Sequence, residues 1–122
     1  MSDSTQLLEM LDDEHRQMAE VMIEKLGDLQ KMVLCCSIAY YQFDDNLTSD
    51  YNYDRWGLEL QHLMRIFPLA HLTPLHYIFY DYTGGSKSGF DLIGKLTEED
   101  WQKYAWITQQ MLKDRHERLE LL

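Results

Sequence analysis

Basic residues are scarce in this chain: 11 lysines and arginines stand against 21 aspartates and glutamates, a formal net charge of −10. A surface of that sign repels phosphate, which argues against DNA, RNA or anionic membrane as a direct ligand. Proline (2) and glycine (6) are also few, and Gly84, Gly85, Gly89 and Gly94 fall close together. A chain so rarely punctuated favours long elements over many short strands joined by turns. Cysteine is limited to the adjacent pair Cys35 and Cys36. Neighbouring cysteines bridge only with backbone strain and make no CxxC metal pair, so reduced, buried thiols in a cytoplasmic protein are expected. In that setting Asn46-Leu47-Thr48, which matches the glycosylation triplet, stays unmodified. The longest uncharged run, Met32 to Phe43, is too short to span a bilayer.

Apolar residues, by contrast, are plentiful at 45%, with 8 Tyr, 4 Phe and 3 Trp. That is enough to build one core in a chain of 122 residues, and a single helical domain over 1–122 is expected. From Leu8 the positions Leu11, His15, Met18, Met22, Leu26, Leu29, Val33, Cys36 and Tyr40 recur in steps of three and four. This predicts a first helix capped by Ser4 and running from about 5 to 42, roughly 55 Å long. A compact chain of this size has a diameter near 35 Å. The helix therefore either breaks near Gly27-Asp28 or projects and pairs with another copy, and a homodimer is the expectation. Asp44 to Tyr53 lacks a period and reads as a loop. Asp54 then caps a second helix carrying Trp56, Leu60, Leu63, Met64 and Phe67, stopped by Pro68. Thr73-Pro74 opens a short third helix, and Thr97-Glu98-Glu99-Asp100 resembles a capping box opening a long last one. The expectation is all-α: a bundle of about four helices with long first and last members.

Three patterns carry candidate chemistry. Asp12-x-x-His15 and Glu59-x-x-His62 have the carboxylate–histidine spacing that di-iron bundles use, which makes a metal-binding bundle the alternative reading. His62 weakens it, because it lies about 100° round the helix from Leu63 and so off the apolar stripe. Gly84 to Gly89 (GGSKSG) lacks both the Gly-Lys step and the leading strand of a phosphate loop, and reads as a connection. No nucleophile–base pair emerges, so neither enzyme activity nor a cofactor is expected.

The third pattern is Tyr40 to Trp56, with six aromatic rings and four aspartates. Helical phase assigns Tyr40, Tyr41, Phe43 and Trp56 to the core. Asp44, Asp45, Asp50, Tyr51, Tyr53 and Asp54 remain as a candidate partner-binding surface. Tyrosines beside carboxylates suit arginine and lysine, the rings offering cation–π faces and the carboxylates paired acceptors. A small acidic adaptor or inhibitor of a basic partner protein is the functional expectation, nucleic-acid-binding proteins being one class of such partner. Phage- or plasmid-type inhibitors and immunity proteins fit this physical description.

Overall fold

The computed structural model describes residues 3–84 and 88–121. Among these the protein is all-α, in the order α1 (Asp3–Met10), α2 (Asp13–Phe43), α3 (Asp50–Ile66), a 3-10 turn (Ala70–Leu72), α4 (His76–Phe79), α5 (Ser88–Gly94) and α6 (Glu98–Glu120). Among the described residues three helices are long and three short, where about four with long first and last members were expected. The long first helix expected from periodicity is broken, but at Leu11-Asp12 and not at Gly27. Asp12 takes an extended conformation and its Oδ1 accepts the His15 backbone N–H at 2.8 Å, which caps α2. α1 already contains Ser4 and ends before this break. Its last carbonyls are gathered by Arg16, whose Nε and Nη2 donate to Leu8, Glu9 and Leu11 at 3.0–3.2 Å. A guanidinium at a helix C-terminus satisfies orphan acceptors and complements the dipole together.

α2 is the axis on which the rest is mounted. Its 31 residues run about 46 Å, straight through Gly27, where an added Cβ would meet only Pro74 Cδ at 3.9 Å. The second half is enclosed: every residue from Val33 to Ala39 is buried. α3, α5 and α6 all pack against α2 and close a core of Leu26, Val33, Leu34 and Ile38 with Leu60, Phe79, Leu92 and Tyr104. The first half is one-sided. His15, Met18 and Tyr40, placed on the inner stripe by period alone, are exposed, and Ala19, Gln30 and Ser37 are buried instead. His15 and Met18 share the helical phase of buried Val33 and Cys36, five turns further on, so period alone cannot separate them; what differs is that the first half of α2 is packed on one side only.

Boundaries differ elsewhere for local reasons. α3 starts four residues before the expected cap, because the Ser49 hydroxyl accepts the Asn52 backbone N–H at 3.2 Å. Thr73 does not cap a helix: its hydroxyl turns back to the Ala70 carbonyl at 3.0 Å. The Thr97 cap of α6 is as expected, accepting the Asp100 N–H at 3.1 Å. The reciprocal half of that box is supplied from outside, since Tyr77 Oη accepts the Thr97 N–H and donates to the Asp100 carboxylate. α5 seats on α2 where Gly89 leaves room for nothing larger; a Cβ there would lie 2.7 Å from Ser37 Oγ and 2.9 Å from Tyr53 Oη.

Candidate functional site: an acidic–aromatic cleft

Where α2 ends and α3 begins, the chain encloses a cleft of about 390 Å³ lined by Tyr40, Tyr41, Thr48, Asp50, Tyr53 and Asp54, with Cys36, Ser37, Asn46 and Leu47 completing its walls. Its floor is fixed. Ser37 Oγ donates to the Val33 carbonyl at 2.9 Å, so its single proton is committed and Tyr53 Oη, also at 2.9 Å, donates to Ser37. Burial pushes the Tyr53 phenol up, the Ser37 bond opposing it. Cys36 is buried and its thiol is pushed up to about 12, first by burial and then by Cys35. It is therefore an inert wall rather than a nucleophile.

The rim is aromatic and open. Tyr40 is 57% exposed and Tyr41 37%. Their rings meet edge-on at 4.8 Å, and Tyr41 meets Phe90 of α5 the same way at 5.6 Å. This corrects the assignment of both tyrosines to the core. Consecutive helical residues point about 100° apart, and here the pair straddles the mouth of the cleft. Phe43 and Trp56 do pack against the core as expected.

The aspartates divide. Asp44 adopts the left-handed conformation (φ 49°, ψ 46°), and its backbone N–H and that of Asp45 both reach the Ala39 carbonyl, which ends α2. Asp45 is engaged inside the fold: His116 Nε2 lies 2.7 Å from its Oδ2, and the Asn46 N–H donates to its Oδ1 at 2.8 Å. These two bonds, His116 first, hold its carboxyl below the usual range. Arg115 donates beside them to the Asn46 carbonyl, so α6 is tied to the loop twice. Neither aspartate lines the cleft, nor does Tyr51, which stands 71% exposed on α3.

Asp50 and Asp54 do line it. They lie four residues apart on α3, hence on one face, and among the described residues neither has an ion-pair partner. Among the described residues no lining residue is basic. Two like charges and a set of π-faces thus converge on one open volume.

The metal alternative finds no support in the geometry. Asp12 is occupied as the cap of α2, with His15 Nδ1 at 2.8 Å from its Oδ1, and both side chains are two-thirds exposed. Glu59 and His62 are exposed on α3. Among the described residues no three His, Cys, Asp or Glu side chains come together to hold an ion. Of the Gly84–Gly89 connection, Gly85, Ser86 and Lys87 lie outside the described residues. His71 and His76 place their rings 6.3 Å apart, and burial followed by the His71 charge holds His76 below its ordinary value.

In comparison with known proteins, no family model, no curated protein and no solved structure matches this chain. No described helix is long and apolar enough to cross a membrane.

Proposed function

We propose that this protein is a cytoplasmic interaction module, an adaptor or inhibitor rather than an enzyme, that binds a basic partner protein by taking one of its lysine or arginine side chains into the cleft between α2 and α3. One observation supports the reading: Asp50 and Asp54, without an ion-pair partner among the described residues, line the same open volume as Tyr40, Tyr41 and Tyr53. Like charges four apart on a helix cost a few tenths of a kcal/mol when nothing neutralises them, and a cation seated between them removes that cost. A guanidinium bridges two carboxylates with paired donors and stacks on tyrosine, so arginine suits the site better than lysine. The volume lies within the range of pre-formed small-ligand sites, and Tyr53, locked by Ser37, adds rigidity that spares ordering entropy on binding.

The net charge of −10 gives the encounter its long-range bias. A basic partner approaches quickly at low salt, and binding weakens as salt screens the field. The test is affinity capture from the native host, followed by binding measurements over a salt series with the wild type and with Asp50→Lys/Asp54→Lys. Capture of a basic protein that the double variant no longer binds supports the reading. A partner that binds both proteins equally sinks it.

A further inference from the structure

The residues that periodicity placed on the inner stripe of α2 raise a second question, because several of them are bare. Met18 is 60% exposed, and Val21, which lies beside that stripe rather than on it, is 50% exposed. Met22, Leu29 and Met32 are only half-buried, and with Trp56 and Leu63 of α3 they wall a groove of about 520 Å³ floored by Leu26. Met32 and Trp56 also wall the adjoining cleft against Met111, Arg115 and Arg118. α6 therefore covers one end of this apolar strip and leaves the remainder open. The groove shares no lining residue with the acidic–aromatic cleft.

Its rim carries Lys25, Asp28 and Glu59, all exposed and, among the described residues, in no ion pair. That pattern discriminates between occupants. Both signs stand on the rim, so a second copy can set its own Lys25 against Asp28 and its own Asp28 against Lys25, a reciprocal match that a uniformly basic helix cannot make. We infer that the strip is the seam of a homodimer, in which α2 of two copies cross antiparallel about a two-fold axis lying between Lys25 and Asp28.

A two-fold contact presents the same patch from both sides, so the patch must complement itself. An axis at that point sets Lys25 of each copy opposite Asp28 of the other. It also sets Met32 opposite Val21, which brings the exposed apolar residue of one copy onto the groove wall of the other. Methionines, unbranched and polarisable, repack easily against such a partner. From Met18 to Met32 the helix rises about 21 Å, and two packed helices are about 20 Å wide. The footprint is on the order of 400 Å² per copy, about half that of a standard interface, which makes this a weak dimer that forms at high protein concentration.

Sedimentation of the full-length chain over a concentration series tests this. The mass is expected to rise from 14.6 kDa towards twice that value. Lys25→Glu, at an exposed position that leaves the fold intact by circular dichroism, weakens the dimer about tenfold or more, and Lys25→Glu with Asp28→Lys restores it to within about threefold. Met22→Glu abolishes it. A chain that stays monomeric to about 1 mM overturns the inference, as does a dimer indifferent to Lys25→Glu. A monomer whose Lys25→Glu variant binds the basic partner more tightly overturns it too, and assigns the groove to that partner.

Discussion

Asp44 and Asp45 close one helix, while Asp50 and Asp54 belong to the first turns of the next. The two pairs look alike in sequence and are used in opposite ways. The first is spent on the fold: Asp44 turns the chain through a left-handed residue, and Asp45 receives His116 and the Asn46 N–H. The second forms no ion pair among the described residues and lines a cleft. A charge that the fold satisfies reports on structure, whereas a charge left unsatisfied at an open volume reports on what is meant to arrive there.

The largest effect expected from this contrast is on binding. Asp50→Lys with Asp54→Lys reverses both charges at the cleft and should lower affinity for the basic partner by a hundredfold or more, roughly 2.7 kcal/mol. Asp44→Asn should change it by less than about threefold, a difference that calorimetric titration resolves. Equal losses from the two changes would show that only overall acidity matters.

Gln30 sharpens the comparison from the other side. It is fully buried, its Nε2 makes only a 4.0 Å contact with Met64 Sδ, and among the described residues its Oε1 has no hydrogen-bond partner. An unsatisfied group sealed away from any ligand is a cost without a function. Gln30→Leu should raise stability by about 1 kcal/mol in urea unfolding and leave binding untouched.

Asp45 gives a smaller effect of opposite sign. Asp45→Ala should cost roughly 0.5 kcal/mol, a value discounted for exposure, and should loosen the end of α6. The pH dependence follows from the direction of its shift. Because His116 and the Asn46 N–H lower its folded value, its contribution is present above the unfolded value near pH 3.9 and is lost as pH falls through the lower folded one. Acid titration of stability should therefore show a falling limb below about pH 4 that is shallower in Asp45→Ala. The smallest effect belongs to the free pair: Asp54→Asn relieves like-charge repulsion and should be neutral or stabilising by a few tenths of a kcal/mol while weakening binding.

These roles were only partly legible in the residues. The all-α class, the Thr97 cap and the stop at Pro68 rest on period and local chemistry, and both act within one or two turns. The break at Leu11-Asp12 was hidden because Asp12-x-x-His15 suits two arrangements equally: a ligand pair on a helix, and a cap whose carboxylate accepts the third following N–H. The start of α3 was ambiguous for a similar reason, since Ser49, Asp50 and Asp54 are all competent caps and only packing chooses among them. The cleft needed the fold. Nothing local distinguishes Asp45 from Asp50; the difference is that His116, seventy-one residues further on, reaches one of them. The pair Tyr40-Tyr41 held only a weak signal: consecutive helical residues point about 100° apart, and both are covered only where neighbours pack on several sides, as from Val33 to Ala39.

The central claim is that a cation binds between Asp50, Asp54 and the tyrosines. The most direct measurement is an NMR titration of the protein with a short arginine-containing peptide, following backbone amide shifts in the wild type and in Asp50→Lys/Asp54→Lys. Saturable shifts confined to Tyr40, Tyr41 and the first turns of α3, and lost in the double variant, are the predicted result. Shifts spread evenly over the acidic surface, or centred on Asp44 and Asp45, would contradict it.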